Sequence, residues 1–545
     1  MELPDTANLV DYFLFQRLDE GLGHKAAILY GDRQYSYELV AQRTRAVCSL
    51  LRQRGIRRGE RVLLVLPDSP PFAWAFFGVL ARGAVIAMGN PDASPEQIDY
   101  LIGYTRATAV ITIPRVAEKL SPRRHPDLVA VWLVPDSRTG DDPESATAAA
   151  LPHATDLAED LASVAIDHES LPIHKDEPAI WLFTSGSTGE PKANIHSHRD
   201  FIFNTEVYAK KTVGYAQSDV TVSVPRLFFG YATGTNLMFP FAVGASVGLF
   251  SERPTPESLA TALARYRATV VTNVPTMLGK LLDHDEAERA RGAAGLDLAH
   301  VRFSLSAGEA LPEALLRRWQ GRFGSDVYDG IGSAEMFHIY ASNRPGDIKP
   351  GSLGRVVDGY ELRVLPEEAE GVGAAPCGPG EIGVLWVKGD SVSHGYWLDR
   401  DKSWKTFHGH WCRTGDLFSM DADGYLYFAG RADELLKVSG LWVAPVEVEE
   451  CLMRHEAVSL AAVIGVKDAG LTKIKAFVVL RAAYASKAGP VLEAELQEMV
   501  KSSISKHKYP RTVEFVSDVP KNDRGKVDRK ALRALEATRT REKSS

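Results

Sequence analysis

The chain has few cysteines, no long apolar run and no excess of positive charge, and each shortage excludes a class of protein. Its four cysteines among 545 residues are scattered and form no C-x-x-C pair, so we expect neither a disulfide framework nor a zinc site. No apolar run approaches the roughly 18–20 residues of a membrane span. The net charge of −7 argues against nucleic acid as a partner. The N-terminal sequence lacks the basic and apolar segments of a signal peptide, so we expect a cytoplasmic protein.

The sequence shows alternating strand and helix patterns, and the chain is long enough that we expect more than one domain. At 545 residues the chain exceeds the roughly 250–300 residues at which one core stops growing. The alternation is typical of layered α/β proteins. Residues 136–178, rich in Asp, Ala, Ser and Pro, are predicted to contain a long surface connection, and the tail after Leu535 to be disordered. Apolar runs predict a helix over residues 71–81 and strands over residues 61–66, 84–88, 179–183, 270–275 and 301–307.

A second, smaller α/β pattern follows a Gly-rich stretch and runs to the C-terminus. We therefore predict a domain boundary at residues 431–433, with an N-terminal domain of residues 1–432 and a C-terminal domain of residues 433–545. The second pattern has predicted helices over residues 446–453 and 492–505 and predicted strands over residues 461–466 and 474–480.

The segment Thr184-Ser-Gly-Ser-Thr-Gly-Glu-Pro-Lys192 follows a predicted strand and suits a polyphosphate. Hydroxyl groups and two glycines let the backbone curl close to an anion and offer N–H and O–H donors, while Lys192 adds a positive charge. The segment is not a Walker A loop, because Gly186 and Gly189 are too close together and Ala193 follows the lysine. The alternative is a surface turn, since Gly, Ser and Pro mark turns in every class of protein.

Five further motifs follow this loop in a fixed order. They are Tyr328-Asp-Gly-Ile-Gly-Ser-Ala-Glu335, Trp411-Cys-Arg-Thr-Gly-Asp416, Gly430-Arg-Ala-Asp433, Leu436-Lys-Val-Ser-Gly440 and Pro520-Lys-Asn-Asp-Arg-Gly-Lys526. Together the six motifs resemble those of the adenylate-forming superfamily, which holds acyl- and aryl-CoA synthetases, adenylation domains of peptide synthetases and luciferases. The segments most similar to benzoate-type aryl-CoA ligases are Leu227-Phe-Phe-Gly-Tyr231 and Asp329-Gly-Ile-Gly-Ser-Ala-Glu-Met-Phe-His338.

The resemblance implies an α/β fold of two unequal parts. A large, multi-layer N-terminal adenylate-forming domain, residues 1–432, would be accompanied by a small mobile α/β lid, residues 433–545. In the family this lid rotates between two catalytic poses about a hinge at the position of Asp433. From the residues alone, Asp433 is better explained as a solvent-exposed aspartate in a turn.

Adenylation chemistry explains the residue types in these motifs. A carboxylate acylates poorly because its leaving group would be oxide, and its attack on the α-phosphorus of ATP replaces oxide by AMP and releases pyrophosphate. Pre-placed cations and donors that stabilise the phosphate charge each contribute about 10²–10³ in rate. The resemblance implies that Glu335 binds Mg²⁺ bridging the phosphates and that Lys526 reaches from the lid to the carboxylate and the α-phosphate. As isolated residues, Glu335 suits a helix start and Lys526 a surface turn.

The resemblance also implies the nucleotide contacts. In the family the aspartate at the position of Asp416 binds both ribose hydroxyls and the arginine at the position of Arg431 assists, because an ionised carboxylate accepts two hydrogen bonds from a diol. Asp329 would meet the adenine amino group, and Ile331 replaces a tyrosine that stacks on the base in many relatives. The predicted ATP-binding residues are Thr184, Ser185, Gly186, Ser187, Thr188, Gly189, Lys192, Ser306, Ala307, Gly308, Glu309, Asp329, Gly330, Ile331, Gly332, Ser333, Ala334, Asp416 and Arg431.

Ala334 is the main departure from the family. Most relatives have threonine there, and its hydroxyl contacts the α-phosphate. A hydrogen bond to a charged group contributes ~1.5–3 kcal/mol, so adenylation would slow about tenfold or more unless Ser333 compensates. The loss also raises the alternative that the protein is a nucleotide-binding regulator without turnover. The presence of Lys526, Asp416 and Glu335 argues against this alternative.

The acyl pocket implied by family position has flat walls and small glycines, which suit a planar ring. We see no aspartate for an α-ammonium group, which disfavours an amino acid, and no channel for a long acyl chain. His338 either faces the ring or is a hydrogen-bonded core histidine. Gly230, where benzoate-type relatives often have alanine, favours an ortho-amino substituent as in anthranilate. The predicted substrate-binding residues are Phe228, Phe229, Gly230, Tyr231, Gly332 and His338.

Transfer of the aryl group to coenzyme A needs a tunnel for the thiol. In the family its wall forms after lid rotation, and Gly440 would let the pantetheine pass close to the backbone. The alternative for this segment is a β-turn in the lid. We find no carrier-protein motif and no condensation domain, which favours a free thiol as the acceptor. The predicted CoA-binding residues are Lys437, Ser439, Gly440, Leu441 and Trp442.

The sequence thus predicts an aryl-CoA ligase that uses ATP, Mg²⁺ and coenzyme A. Its substrates would be ATP, CoA and a small aromatic carboxylic acid, namely benzoate or a substituted benzoate such as anthranilate. Two alternatives stay open: a freestanding adenylating enzyme that loads an aryl group onto a separate carrier protein, and the regulator. The sequence determines neither the ring substituent nor the oligomeric state.

The placement of Lys526 and Gly440 on opposite faces of the lid predicts that their roles separate. Lys526→Ala should slow adenylate formation by about two orders of magnitude or more, through loss of a charge-stabilising donor, and leave thioester formation from supplied aryl-adenylate largely intact. Gly440→Leu should do the reverse. Single-turnover assays of each half-reaction measure both effects. Equal damage to both half-reactions by each variant would show that the two faces are not used alternately.

Overall fold

The computed structural model describes residues 3–120, 125–137, 142, 154–166, 171–185, 190–309, 311–438, 441–468, 471–521 and 527–544 of the chain. Within these residues the strands form two large, mostly parallel sheets and three smaller sheets. Helices pack against both large sheets, which confirms the α/β class predicted from the alternating pattern.

The larger sheet carries two of the predicted site segments, on the strands Phe303–Ala307 and Asp326–Gly332. Its six central strands pair in parallel, and the strands beyond them at each edge are antiparallel. Parallel strands end at the same edge of a sheet, so their carboxyl ends bring polar residues together. In spatial order the strands are Arg355–Val356, Ile339–Ser342, Asp326–Gly332, Phe303–Ala307, Val270–Asn273, Val220–Ser223, Ser246–Leu249, Ala26–Tyr30 and Arg33–Ser36.

The second large sheet carries the predicted phosphate loop. All its neighbouring strands are parallel except the last two, Pro178–Ser185 and Pro191–Ser197, which are antiparallel and flank the loop. In spatial order the strands are Ala154–Asp156, Ala130–Leu133, Ala109–Thr112, Arg61–Val65, Val85–Met88, Pro178–Ser185 and Pro191–Ser197.

Three smaller sheets follow along the chain. The first has the strands Glu361–Leu365, Gly383–Lys388, Trp411–Met420 and Phe407–His408, with Leu426–Arg431 also paired to Trp411–Met420. The second is the hairpin of Leu436–Val438 and Leu441–Val443. The third has the strands Val458–Asp468, Leu471–Leu480 and Thr512–Phe515.

The helices lie between and around these sheets. The α-helices are Gln16–Asp19, Tyr37–Gln53, Pro70–Ala81, Pro95–Thr105, Pro114–Ala117, Leu157–Ser163, His198–Asn204, Gly230–Thr233, Phe239–Ala242, Pro256–Tyr266, Pro275–Ala290, Glu313–Phe323, Arg400–Thr406, Pro445–Met453, Pro490–Ser503 and Arg529–Ser544. Wider π-helical turns are Asp11–Phe15, Thr205–Val213 and Gly234–Met238, and tighter 3₁₀ turns are Ala334–Met336, Ala432–Glu434 and Ala482–Lys487. None of the helices in the described ranges is both long enough and apolar enough to cross a membrane.

The helix Pro70–Ala81 shows why the core lies where it does. Its sequence, PPFAWAFFGVLA, contains no charged residue, and all 12 residues are buried. A helix that is apolar on every side must be covered on every side. Gly78 allows the helix Tyr37–Gln53 to approach closely, because a Cβ at this position would collide with Val47. The predicted helix over residues 71–81 is therefore a central packing element.

Most of the predicted elements are confirmed to within a few residues. In the first part of the chain these are the strands Arg61–Val65, Val85–Met88, Pro178–Ser185, Val270–Asn273 and Phe303–Ala307 and the helix Pro70–Ala81. In the second part they are the helices Pro445–Met453 and Pro490–Ser503 and the strands Val458–Asp468 and Leu471–Leu480.

The prediction of a disordered tail is wrong, because the helix Arg529–Ser544 includes most of it. Leu532 of this helix is buried in a cluster with apolar residues of the three-stranded sheet. Farther along, Glu536 pairs with Lys475 at 2.7 Å and Arg539 pairs with Glu514 at 2.7 Å. The polar composition of the tail conceals these contacts, since each partner lies on a strand distant in sequence.

The stretch 136–178 also contains more structure than a surface connection. The strand Ala154–Asp156 forms the edge of the second large sheet, and the helix Leu157–Ser163 follows it directly. Leu157 and Leu161 are buried on that helix, while Asp156 caps its start by accepting a hydrogen bond from Glu159 N. The apolar signal here is only two leucines long, which is too short to stand out in the sequence.

Candidate active site

Three polar side chains form a row at the carboxyl ends of adjacent parallel strands. Asn273 pairs with Ser306, and Ser306 pairs with Asp329, in the registers of neighbouring strands. All three residues are buried, yet Asn273 Nδ2, Ser306 Oγ and Asp329 Oδ1 have no hydrogen-bond partner in the part of the chain that the structure describes. Buried polar atoms are normally paired, so this row suits a polar ligand. Asn273 is absent from the residues predicted from sequence, and its only signal is its place at a strand end.

Burial determines the protonation of Asp329. It raises the pKa of this carboxyl group to about 8, so the group keeps its proton at neutral pH. A neutral carboxyl group both donates and accepts a hydrogen bond. This pair of functions matches the amino group and adjacent ring nitrogen of a base such as adenine.

The loop after the strand Phe303–Ala307 is shaped by Gly308 and Glu309. Gly308 has φ of +90°, a conformation that favours glycine. The Glu309 carboxylate accepts hydrogen bonds from Thr276 N at 3.2 Å and from Thr276 Oγ1 at 2.7 Å. Glu309 therefore ties the loop to the start of the helix Pro275–Ala290.

Two glycines keep the strand Asp326–Gly332 close to its antiparallel neighbour. A Cβ at Gly330 would lie 2.8 Å from the Ala341 carbonyl oxygen, and a Cβ at Gly332 would collide with the His338 carbonyl group. Ile331 between them is half-buried and pairs with Ala341. Both glycines are thus required by the backbone packing itself.

Glu335 follows these glycines and is held from several sides. Its Oε1 accepts a hydrogen bond from the Tyr396 hydroxyl at 2.8 Å. Burial and the nearby Glu335 carboxylate raise the pKa of Tyr396, so the hydroxyl remains a donor. The Glu335 carbonyl accepts from Ser393 N at 2.8 Å, and the Met336 carbonyl accepts from Ser391 Oγ at 2.9 Å. Tyr396 is a site residue that the motifs did not reveal, since it lies 61 residues from Glu335.

Glu335 is the carboxylate that the motifs predict to bind a metal ion. No cluster of three or more His, Cys, Asp or Glu side chains suited to a metal ion occurs in the described ranges. Mg²⁺ usually binds through one or two carboxylates together with substrate phosphates and water. The oriented carboxylate of Glu335 fits such a shared site.

Ser333 and Ala334 precede Glu335 and differ in what they offer to a ligand. The Ser333 hydroxyl is buried and has no hydrogen-bond partner within the described residues. Ala334 offers only its backbone, and its carbonyl oxygen accepts a hydrogen bond from His196 Nε2 at 2.6 Å. Of the two residues, only Ser333 therefore has a side-chain donor.

The predicted phosphate loop is the tip of a hairpin. Thr184 pairs with Lys192 and Ser185 pairs with Pro191 on the two flanking strands. The Lys192 ammonium group forms an ion pair with Asp399, which caps the helix Arg400–Thr406. The loop residues Gly186, Ser187, Thr188 and Gly189 lie outside the described residues.

Lys402 adds a second cation close to Glu335. Its Nζ lies 4.7 Å from the centre of the Tyr396 ring, whose hydroxyl binds Glu335. Burial and the charge of Lys192 lower the pKa of Lys402, while Glu335 and Asp399 raise it. These mutual effects place Glu335, Asp399, Lys192 and Lys402 in one charged cluster, in which Asp399 pairs with Lys192.

Asp416 and Arg431 face each other across two antiparallel strands. They are register partners, and Arg431 Nη1 donates to Asp416 Oδ1 at 3.2 Å. The guanidinium group thus orients the carboxylate that is predicted to bind ribose. Burial raises the pKa of Tyr340, and the charges of Asp416 and Glu335 raise it further, so both carboxylates lie near this ring.

The pocket predicted for the aryl group is built around His338. Its Nε2 donates to the Tyr231 carbonyl at 3.0 Å, and its ring centre lies 5.2 Å from that of Tyr231 and 4.7 Å from that of Phe239. Burial lowers the pKa of His338 to about 3, so the ring is neutral. Its Nδ1 is then an acceptor, and no described residue donates to it. His338 is a hydrogen-bonded core residue that still offers one polar atom.

Phe228, Phe229 and Gly230 are also predicted to bind the aryl group. The two phenylalanine rings are 4.4 Å apart between centres. A Cβ at Gly230 would lie 3.3 Å from both terminal methyl groups of Leu182. Glycine at this position therefore allows close packing against Leu182, on the strand that leads into the phosphate loop.

The backbone reverses sharply between Glu335 and His338. Phe337 has φ of +66° and ψ of −57°, and His338 N donates to the Met336 carbonyl at 2.9 Å, which defines a γ-turn of the strained kind. Such a conformation costs about 1–3 kcal/mol and persists only where surrounding structure holds it. The Phe337 ring supplies part of that support, since its centre lies 4.2 Å from that of Phe201.

Those predicted CoA-binding residues that the structure describes lie in the smallest sheet. Lys437 pairs with Trp442 and Val438 pairs with Leu441 in a two-stranded hairpin. Asp433 lies in the short turn Ala432–Glu434. Ser439 and Gly440, between the hairpin strands, and Lys526 fall outside the described residues.

Comparison with known proteins finds relatives over nearly the whole chain. The profile of a family described as AMP-binding enzyme matches residues 15–397, and that of the AMP-binding enzyme C-terminal domain matches residues 447–526. A benzoate–CoA ligase of Thauera aromatica is 37% identical over 540 residues, which is 98% of this chain and 97% of that protein.

Two solved structures have the same architecture. The anthranilate CoA ligase AuaEII in complex with anthranoyl-AMP has a TM-score of 0.89 and 32% identity, covering 98% of this chain and 99% of that one. A benzoate CoA ligase from Burkholderia xenovorans LB400 has a TM-score of 0.85 and 34% identity, covering 96% of this chain and 99% of that one.

The Tyr396 hydroxyl can be tested as the group that orients Glu335. Tyr396→Phe should slow pyrophosphate release about tenfold or more, because a hydrogen bond to a charged group contributes ~1.5–3 kcal/mol. Tyr340→Phe is the matched control, since that hydroxyl is buried and has no partner in the described part of the chain, and this change should have little effect. Initial rates of pyrophosphate release compare the variants. Equal rates for both would contradict the role of Tyr396.

Proposed function

This chain belongs to the AMP-binding enzyme family, and we propose that it is an ATP-dependent aryl-CoA ligase for benzoate or a substituted benzoate such as anthranilate. The reaction is that of an AMP-forming acid–thiol ligase. An aryl-adenylate forms first, and its aryl group is then transferred to the thiol of coenzyme A.

The observation that carries this proposal is the γ-turn that joins Glu335 to His338. On one side of the turn, Glu335 belongs to a charged cluster with Lys192 and Lys402, which suits phosphates. On the other side, His338 lies among aromatic rings, which suits an aryl group. An aryl acid bound beside His338 would present its carboxylate to the phosphates. Holding two reactants in this way removes much of the entropic barrier to their reaction.

In the first half-reaction an oxygen of the aryl carboxylate attacks the α-phosphorus of ATP. A new P–O bond forms and the P–O bond to pyrophosphate breaks, so pyrophosphate leaves with the electron pair. Lys192 and Lys402 would offset the charge of the phosphate oxygens. Glu335 would hold Mg²⁺, which supplies further charge neutralisation to the phosphates. Lys526 would approach the carboxylate and the α-phosphate from the lid.

The nucleotide would be bound by groups from two sheets. The row of Asn273, Ser306 and the protonated Asp329 would meet the adenine edge, and Asp416 with Arg431 would bind the ribose hydroxyls. Buried donors and acceptors that remain unpaired until the ligand arrives favour the correct base, because a wrong base leaves them unsatisfied.

In the second half-reaction the CoA thiol gives its proton to solvent, its sulfur attacks the acyl carbon to form the C–S bond, and the C–O bond to AMP breaks, so AMP leaves with the electron pair. We place the lid at residues 433–545, with Asp433 as its hinge. The hairpin that pairs Lys437 with Trp442 would line the thiol path, with Gly440 at its tip. The similar benzoate and anthranilate enzymes are named as CoA ligases, which favours CoA over a carrier protein as the acceptor.

Gly230 and His338 bear on the ring substituent. A methyl group at position 230 would press on Leu182, so glycine lets the chain pack closely against that side chain. His338 Nδ1 is an acceptor in the same pocket and would favour a substituent that donates. The acceptor at His338 supports an amino-substituted benzoate, such as anthranilate, as a substrate in addition to benzoate.

A panel of aromatic acids tests the proposed reaction. With ATP and Mg²⁺, benzoate and anthranilate should release pyrophosphate, and added CoA should be consumed in equal amount. Pyrophosphate release without loss of CoA would favour the carrier-loading alternative. Binding of ATP without pyrophosphate release from any acid would favour the regulator.

The Ser333 hydroxyl is buried and unpaired within the described residues, so we predict that it makes the α-phosphate contact of the threonine missing at position 334. Ser333→Ala should then slow ATP–pyrophosphate exchange about tenfold, the effect of losing one charge-assisted hydrogen bond. Ala334→Thr should be neutral, or harmful through crowding. A faster exchange in Ala334→Thr, with no loss in Ser333→Ala, would show that the donor is uncompensated. If neither change alters the rate, the segment does not face the α-phosphate.

A further inference from the structure

A buried histidine–aspartate pair connects the two segments to which the proposed function assigns phosphate and metal. His196 lies on the strand Pro191–Ser197, which leaves the predicted phosphate loop, and Asp200 lies in the first turn of the next helix. His196 Nδ1 and Asp200 Oδ2 are 2.7 Å apart, and His196 Nε2 and the Ala334 carbonyl oxygen are 2.6 Å apart. The two side chains are 0% and 1% exposed.

Both ring nitrogens of His196 face acceptors. A backbone carbonyl accepts only, and the Asp200 carboxylate already accepts from Ser197 N at 3.1 Å and from Ser197 Oγ at 2.6 Å. The Ala334 carbonyl can only accept, so His196 Nε2 donates to it, while the Asp200 carboxylate contacts Nδ1 and fixes the ring orientation. The Nε2–H is thereby directed at the peptide that precedes Glu335.

Stability alone is a weak reason for such a pair. Burying a pair of ionisable side chains is costly, and well-packed apolar residues of similar volume are often equally stable or more stable. What the pair provides instead is a directed hydrogen bond between two segments distant in sequence. On its strand, His196 projects from the same face as Lys192, because side chains alternate along a strand. The hairpin that carries Lys192 is thereby bonded to the segment that carries Glu335.

We propose that His196, oriented by Asp200, is a positioning residue that sets the place of Glu335 relative to the phosphate loop. The proposal rests on the proposed function, in which Glu335 binds Mg²⁺ together with the ATP phosphates. The carbonyls of Glu335 and Met336 are held by Ser393 and Ser391, which lie in a different part of the chain. Of these three successive carbonyls, the one at position 334 accepts directly from a side chain of the phosphate-loop hairpin. The Glu335 carbonyl is linked to the same strand only indirectly, through Ser393, whose Oγ donates to the Ile195 carbonyl at 3.2 Å.

Substitutions at His196 separate this role from a packing role. His196→Leu removes both hydrogen bonds, whereas the amide of His196→Gln can still donate to the Ala334 carbonyl. His198 provides the matched control. It is equally buried two residues farther along, its Nδ1 accepts from Leu9 N at 3.1 Å, and burial lowers its pKa to about 4. In the described residues it makes no hydrogen bond to the segment 333–336.

The first measurement is binding of α,β-methylene-ATP by calorimetry over a range of Mg²⁺ concentrations. In His196→Leu the Mg²⁺ concentration for half-maximal binding should rise about tenfold or more, the effect of one hydrogen bond of the charged kind. His196→Gln should lie between this variant and the unmodified protein. His198→Leu and His198→Gln should keep the unmodified requirement. Thermal unfolding of all four variants compares their stability.

The second measurement is the rate of each half-reaction. His196→Leu should slow pyrophosphate release and leave thioester formation from supplied aryl-adenylate and CoA unchanged, because that step needs no metal-bound triphosphate. An unchanged Mg²⁺ requirement in His196→Leu would overturn the proposal. Equal shifts in the His198 variants, or equal loss of both half-reactions, would also overturn it. The binding measurement needs no aryl acid, so it decides the role of His196 even if no acid is turned over, a result that would contradict the proposed function alone.

Discussion

The hydrogen bonds to the backbone of residues 334–336 are the constraint on which the rest of the site depends. Each of these three carbonyl oxygens accepts from a different donor, namely His196 Nε2, Ser393 N and Ser391 Oγ. The donors hold a segment whose next residue, Phe337, has a strained backbone conformation. Because the segment cannot relax, the Glu335 carboxylate and the His338 ring keep fixed positions on opposite sides of the turn. A flexible segment would allow the aryl and phosphate sites to move independently.

Three sheets contribute one function each to the region around this segment. The larger parallel sheet presents the row of Asn273, Ser306 and Asp329 at its carboxyl edge. The second parallel sheet ends in the hairpin that carries the predicted phosphate loop. The smaller sheet pairs Asp416 with Arg431 across two strands. Base, phosphate and ribose would thus be bound by groups on rigid strands, which hold catalytic geometry more accurately than loops do.

Burial keeps two titratable groups of this site neutral. Asp329 keeps its proton because desolvation raises its pKa, and His338 remains neutral because desolvation lowers its pKa. His196 is equally buried, but its Nε2 donates to the Ala334 carbonyl and its Nδ1 contacts the Asp200 carboxylate. These partners fix the orientation of its ring between the two segments. Neutral groups therefore lie where the base and aryl ring would bind, and charged groups lie around the phosphates.

The sequence by itself determined the class of fold, the main strands and helices, and the motifs that identify the family. Apolar runs report burial directly, so strands such as Phe303–Ala307 and the helix Pro70–Ala81 could be predicted from local pattern. Only the tertiary structure decided which side chains support the motifs. Tyr396 contacts Glu335 across 61 residues, and His196 contacts Ala334 across 138 residues. No local pattern encodes such contacts, because chain folding alone sets which distant residues become neighbours. The helical tail was mispredicted for the same reason, since its ion pairs join strands that its own composition does not indicate.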